Sequence, residues 1–284
     1  MVAGPFDPPL VAVREVVARA LAEDVLPLGD LTAGLVRPSA AGSGVVVARS
    51  DGVLAGAACF GEVFAQVDPS VSVRFLVADG ASLAPGTNVV EVGGPLASLL
   101  CGERTALNLL CHLSGVATLT RSFVDALGSS STRLLDTRKT LPGLRALQKA
   151  AVRAGGGHNH RGSLSEMVLV KDNHRAALGV AAAVAAARSR WPFRAVEVEC
   201  DTVEQVVEAV AAGASAVLLD NMTPAEVAAS VEVVAGRALT EASGGVTLDT
   251  VSAYAATGVD FVSVGALTMS APSLDLGLDL DTGH

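Results

Sequence analysis

The chain has 284 residues, 50% of them hydrophobic, with a mean hydropathy of +0.49. That is enough apolar side chain to fill one or two cores at roughly 150 residues per domain. A net charge of −9, a pI near 5.0, one Trp and one Tyr argue against nucleic acid as a partner, which calls for a basic surface and stacking aromatics.

Read from the start, the opening MVAGPFDPPL has no basic stretch followed by an apolar one, so the expectation is a cytoplasmic protein. A helical pattern over 11–23 precedes β-rich runs at 44–49, 71–77 and 88–93, punctuated by Asp51-Gly52, Asp79-Gly80 and Pro85-Gly86 turns. These predict an α+β domain over about 1–115, with the remainder, 116–284, as a second domain. A helix over 103–113, with Arg104 near its start, links the two. Cys59, Cys101, Cys111 and Cys200 have no CxxC or zinc-finger spacing and read as free buried thiols in a reducing compartment.

From Arg133 onward one phrase repeats: a short apolar run ending in polar residues, then a helical pattern. The runs are 133–136, 167–171, 195–201, 214–221, 238–243 and 260–265, and the helices 144–154, 175–190, 202–212, 223–235 and 248–257. Thr202 and Thr223 are N-cap candidates, with Gln205 and Glu226 at capping-box spacing, Pro224 at the first helical position, and Gly213, Gly236 and Gly258 as stops. The longest weakly polar stretch near the middle, 176–187, has 12 residues and suits a buried helix, not a bilayer span.

Alternating strands and helices predict a parallel α/β architecture, and both a barrel and a doubly wound sheet fit. Both place ligands at the carboxyl ends of the strands. Here those ends read Asp136-Thr137-Arg138-Lys139, Lys171-Asp172-Asn173, Glu199, Asp220-Asn221, Ser243-Gly244-Gly245 and Gly265-Ala266. Nine of the 20 Lys and Arg residues fall between Arg133 and Arg175, beside three acids, so this window is +6 and the rest of the chain −15. A local reversal of charge suits a small polyanion, which the surrounding field alone would repel.

Arg138 and Lys139 directly follow a strand, where carboxylate or phosphate is the natural guest, although an Arg-Lys pair taken alone is most often a surface turn. Gly155-Gly156-Gly157 lets the backbone approach a ligand and delivers Asn159, His160 and Arg161 in succession. A zinc site on His158 and His160 lacks ligands, with only His174 near in sequence. Lys171 at a strand end needs a counter-charge, from Asp172, Glu199 or a ligand. Glu199 and Asp220 end successive strands and can converge on hydroxyls or a hydrated cation, or form structural ion pairs. Small residues at Ser243-Gly244-Gly245 and Gly265-Ala266 expose N–H groups to a phosphate.

Taken with Glu23-Asp24, Gly29-Asp30-Leu31-Thr32, Glu103-Arg104-Thr105, Glu197-Val198-Glu199 and Glu241-Ala242-Ser243, these strings resemble the quinolinate phosphoribosyltransferase family, in one collinear order from about residue 15 to 279. The resemblance implies an N-terminal open-faced sandwich, an incomplete α/β barrel of about six parallel strands, and a homodimer in which Arg104 is donated across the interface. It implies phosphoribosyl transfer from phosphoribosyl pyrophosphate to quinolinate with decarboxylation, in NAD synthesis, with Mg2+ as cofactor and neither nucleic acid nor membrane as partner. By matching position, Arg138, His160, Arg161 and Lys171, with Arg104, surround the quinolinate carboxylates, and Thr137 is a further substrate-binding residue. Lys139, Glu199, Asp220, Ser243, Gly244, Gly245, Gly265 and Ala266 hold the sugar diphosphate, and Mg2+ is bound mainly through substrate phosphates, with Glu199 and Asp220 as candidate ligands. Lys139, Lys171, Glu199 and Asp220 are the candidate catalytic groups.

Two places depart from the family pattern. Met269 stands where relatives often carry a basic residue, and Gly162-Ser163-Leu164-Ser165-Glu166 replaces a stretch closer to Leu-Gly-Leu-x-Asp. The altered loop keeps open a paralogue acting on another acid. A catalytically silent sensor would require a broken cationic or carboxylate set, and every member of that set is present.

Overall fold

In a computed structural model describing residues 6–281, two compact units are interleaved in sequence, one of 6–121, 140–156 and 267–281, the other of 122–139 and 157–266. The first five residues, half of the opening on which the export reading rests, lie outside the described residues.

The first unit begins with α1 (Leu10–Val25), β1 (Ala41–Ala48) and the two-residue strand β2 (Gly52–Val53). Then come α2 (Ala57–Val67), β3 (Ser72–Phe75), β4 (Ser82–Leu83), β5 (Asn88–Pro95) and the long α3 (Leu96–Ala126). Along β1 Gly44, Val46 and Ala48 are buried while Val45 and Val47 between them are only half so, the period-two pattern of a strand with one face on a core. The helix expected over 103–113 is the middle of the 31-residue α3.

Helix α2 lies in a stretch to which the sequence assigned no element. Asp79 supplies its N-terminal partner from afar, accepting the Gly56 N–H at 3.0 Å and the Ala57 N–H at 3.2 Å. Burial pushes the Asp79 carboxyl up, against the lowering effect of those two bonds.

The second unit carries the repeating phrase: β6 (Arg133–Leu135), then α4 (Arg145–Ala154) in the first unit, β7 (Val168–Val170), α5 (Asp172–Leu178) and α6 (Val180–Arg190). Next are β8 (Val196–Cys200), α7 (Val203–Ala211), β9 (Ala216–Asp220), α8 (Pro224–Val234), β10 (Leu239–Ser243), α9 (Val251–Ala255) and β11 (Phe261–Ser263). These six strands form one parallel sheet in the order β6-β11-β10-β9-β8-β7, and the two edge strands are not paired with each other, an incomplete α/β barrel. Beyond β6, the His158 N–H donates to Leu134 O at 2.8 Å and the Asp136 N–H to His158 O at 3.1 Å, so the segment after the triple glycine docks along that edge.

Every expected strand is present, and the helices differ in particulars. The one expected over 175–190 starts earlier and breaks at Gly179 (φ 73), and the one over 248–257 shrinks to five residues. The Thr223–Glu226 capping box forms, with the Thr223 N–H on Glu226 Oε2 at 2.7 Å, and Thr202 Oγ1 accepts the Gln205 N–H.

After α10 (Ala266–Met269) the chain returns to the first unit as β12 (Leu276–Asp281), a strand the sequence reading did not assign. It pairs antiparallel with β1, completing a four-stranded sheet in the order β12-β1-β5-β3. Its approach runs over α3, where a side chain on Gly115 would put Cβ 2.0 Å from Pro272 O, while the Leu274 N–H donates to Cys111 O at 3.0 Å. Because backbone and not a flexible side chain fills that space, Gly115→Ala is expected to lower the unfolding free energy by about 2 kcal/mol. Urea unfolding of the two proteins checks this, and an unchanged midpoint would contradict close packing of the return segment on α3.

Candidate active site

Parallel strands end on one side of their sheet, so the polar residues that follow each apolar run are delivered to a common rim. Here the rim encloses a cavity of about 320 Å³. Thr137, Arg138 and Lys139 enter it after β6, His160 and Arg161 from the docked segment, and Lys171 from the end of β7. Glu199, Asp220 and Ser243 arrive on β8, β9 and β10, with Glu241 also on β10 and Ser263 on β11. A recess of about 750 Å³ shares Arg138, Arg161 and Lys171 with this cavity and continues past Leu164, Trp191 and Arg194. Three cations widely separated in sequence thus line the same space.

Gly244, Gly245, Gly265 and Ala266 follow the ends of β10 and β11 and contribute no side chain to the wall. A Cβ on Gly265 would sit 2.9 Å from Lys139 Cδ, so the absence of a side chain there lets the lysine stem pass. Arg104 lies exposed on α3 in the other unit and is not a lining residue. Met269 is exposed on α10.

Lys171 pairs with Glu199, one of the partners open to it in the sequence. Its side chain is 47% exposed and that of Glu199 9%, so the ammonium keeps a face toward the cavity while its counter-charge is shielded. The Lys171 N–H donates to His174 Nδ1 at 3.0 Å, which occupies His174 in starting α5. Asp220 lies beside Glu199: burial, and then the Glu199 charge, push its carboxyl up, so the adjacent pair offers hard oxygen donors in a setting that favours a cation.

Asn221, quoted in the sequence motif without a role, adopts φ 56 in the left-handed region. Its N–H donates to Ser243 O at 2.8 Å and its Nδ2 to Asp220 Oδ2 at 2.7 Å. A Cβ on Gly244 (φ 93) would lie 2.3 Å from Asn221 Oδ1, so one residue ties the Asp220 carboxylate to the glycine turn.

Behind the cations lies a buried anionic layer. The Asp136 carboxylate, fully buried, accepts Asn159 Nδ2 at 2.6 Å and the His160 N–H at 2.9 Å. Glu197 and Glu241, 2% and 4% exposed, both approach His160 Nε2, at 3.1 and 3.2 Å. The Arg161 N–H donates to His160 Nδ1 at 2.8 Å. Both ring nitrogens of His160, a residue expected to surround the substrate, are therefore engaged within the protein. Among the described residues these three groups are the one His, Cys, Asp or Glu cluster with its ligand atoms all within 4.8 Å, and His158 and His174 take no part in it.

With Nδ1 accepting from Arg161, the ring's own hydrogen sits at Nε2, so a further proton on this cluster resides on the two carboxylates. Burial would lower the affinity of His160 for protons, yet the hydrogen bonds and charges of Glu197 and Glu241 push it up to about 10. Burial likewise raises Glu197. Both shifts describe one extra proton held by the cluster as a unit. Burial and then the nearby Arg138 charge lower Arg161, while Glu197 and Glu166 oppose that repulsion. The Arg161 guanidinium is anchored on Met167 O at 3.0 Å, and in the altered loop the Gly162 N–H donates to Glu166 at 2.7 Å.

Comparison with known proteins matches residues 30–114 to the N-terminal domain and 116–279 to the C-terminal domain of quinolinate phosphoribosyl transferase. A nicotinate-nucleotide pyrophosphorylase (carboxylating) of Mycobacterium leprae is 44% identical over 278 residues, covering 95% of this chain and 97% of its own. A probable enzyme of the same name from Bacillus subtilis is 43% identical over 254 residues, 89% of this chain and 88% of its own. The solved nicotinate-nucleotide pyrophosphorylase of Francisella tularensis superposes with a TM-score of 0.93 at 36% identity, over 99% of this chain and 100% of that one.

The buried cluster makes a prediction about stability. A group whose folded affinity for protons is raised stabilises fully below its ordinary value, 6.5 for His160, and loses that contribution as pH rises through about 10. Unfolding free energy is expected to fall from neutral pH toward about 10, and Glu197→Gln to flatten that fall. Urea titrations across this range check it, and identical pH dependence in both proteins would contradict it.

Proposed function

The chain belongs to the quinolinate phosphoribosyltransferase family, and from that membership we infer how its strand-end cavity works. The enzyme joins the phosphoribosyl group of phosphoribosyl pyrophosphate to quinolinate, releasing pyrophosphate and carbon dioxide and giving nicotinate mononucleotide, a step of de novo NAD synthesis. The observation that carries the division of labour is the shared cavity, with Arg138, Arg161 and Lys171 on its wall together with Glu199 and Asp220.

Quinolinate presents two carboxylates on a flat ring. Arg138 and Arg161 offer planar guanidinium forks to them, and the exposed face of Lys171 a point charge. His160 forms a wall of the ring's seat, with Thr137 beside it. Lys139 and the turns at Ser243-Gly244-Gly245 and Gly265-Ala266 receive the phosphates of the second substrate. The anomeric carbon gains positive charge as pyrophosphate departs. Glu199 and Asp220 favour that charge and orient the ribose hydroxyls, while Lys139 stabilises the departing oxygens. No covalent nucleophile is needed.

After transfer, the pyridine nitrogen is quaternary, and loss of carbon dioxide leaves a carbanion next to it that takes a proton from solvent to give nicotinate mononucleotide. The protein's part is to hold the ring and shield the departing carboxylate from water. Glu199 and Asp220 are the oxygen donors that would hold Mg2+ brought mainly by the substrate phosphates, and it would neutralise diphosphate charge.

Arg104, exposed on α3, is assigned to the cavity of a second subunit in a homodimer. A cytoplasmic setting is supported by four free cysteines, and no helix among the described residues is long and apolar enough to cross a membrane.

Steady-state assays with quinolinate and with nicotinate test the reading: turnover of quinolinate is expected, and turnover of nicotinate alone would refute it. Arg138→Ala is expected to weaken quinolinate binding by about 1.5–3 kcal/mol, the range for a charge-assisted hydrogen bond. An unchanged Michaelis constant and turnover would remove Arg138 from the site. Mixing Arg104→Ala subunits with Lys171→Ala subunits is expected to restore activity, because one cavity of the mixed dimer is then intact. Failure despite demonstrated subunit exchange would contradict the shared site.

A further inference from the structure

Glu197 and Glu241 have no part in the scheme above, yet they are among the most buried charged side chains of the chain. Val196 and Val198 flank Glu197, and Ala242 follows Glu241. Burying two carboxylates costs several kcal/mol each unless strong partners compensate them, so their retention needs a reason. Their common partner is a single atom, His160 Nε2, approached from β8 and from β10. A ring held by two carboxylates from different strands has one orientation available.

The ring in turn holds its neighbour. Its Nδ1 takes the Arg161 N–H, and Asp136 takes the His160 N–H and the Asn159 amide, so the whole 159–161 segment is fixed from behind. Arg161 and Arg138 carry like charges close enough to disfavour each other, and Glu197 offsets that repulsion from the protein side, where it does not compete with an incoming carboxylate for the cavity.

We propose that Glu197 and Glu241 are positioning residues for the pyridine diacid: by gripping His160 Nε2 from two strands they fix the imidazole and the Arg161 backbone beside it, and so pre-form the seat on which the substrate ring lies. Glu197 lies off the cavity wall, and Glu241, which lines it, acts through the ring. The inference rests on the functional reading above and deepens it, since it concerns one of the two substrates only. A seat formed before the diacid arrives spares the ordering cost at binding, so its loss appears in the affinity for quinolinate and leaves the handling of the sugar diphosphate intact.

Initial-rate kinetics on the full chain test this. Glu197→Gln and Glu241→Gln keep size and hydrogen-bonding capacity while removing the charge that holds the ring. Each is expected to raise KM for quinolinate about tenfold or more while KM for phosphoribosyl pyrophosphate stays within about twofold. In a His160→Ala background the same substitutions are expected to add less than about twofold, because their effect passes through the ring. An unchanged KM for quinolinate, an equal rise in both constants, or full additivity with His160→Ala would overturn the proposal. Thermal melting reports folding: if one variant fails to fold the other carries the test, and if neither folds the pair is structural and the proposal falls. A wild-type chain that does not turn over quinolinate would sink the functional reading itself, whereas active wild type with unaffected variants would sink only this inference.

Discussion

The site depends on holding like charges together before any ligand arrives. Arg138, Lys139, Arg161 and Lys171 line one cavity of about 320 Å³ in a protein whose overall charge is negative. Unrelieved, such a cluster would splay into solvent or lose protons, and burial followed by the Arg138 charge lowers Arg161. Glu199 meets Lys171 directly, Asp136 and Glu197 act from behind through the 159–161 segment, and Glu241 reaches His160 from the cavity wall. Buried charges of this kind are weak evidence for stability in general. Their value here is geometric, since they fix the cations without covering them.

The parallel sheet makes that arrangement economical. Each strand brings one or two polar residues to the rim, and the apolar residues before them are covered on both sides, as in β8, where every residue is buried. The connections then refine the rim. Asn221 accepts a left-handed backbone to join Asp220 to the glycine turn, and Gly265 leaves room for the Lys139 stem. Cations and carboxylates are thereby delivered to one rim.

Much of this was legible in the sequence because the strand–helix phrase repeats and because chemistry-bearing residues follow apolar runs. All six parallel strands and the cations at their ends come from that pattern. The misses have physical causes. Helix α2 takes its N-terminal partner from Asp79, 22 residues on from the Ala57 it caps, which local reading assigns to a turn. The alternation Leu276, Leu278, Leu280 in β12 was present, but its partner β1 lies at the other end of the chain. Gly179 sits inside a run of helix formers, and only its positive φ reveals the break. Glu197 was visible as a charge inside an otherwise apolar run, the signal of a buried partner, yet nothing local identifies that partner as His160. The same holds for Glu241.

The central claim, that three cations distant in sequence grip one pyridine diacid, is tested most directly by a crystal structure of the protein soaked with quinolinate. The account requires the two carboxylates to lie against Arg138, Arg161 and Lys171, with the ring beside His160. Quinolinate bound elsewhere on the chain, or this cavity empty at a concentration that saturates binding in solution, would contradict it.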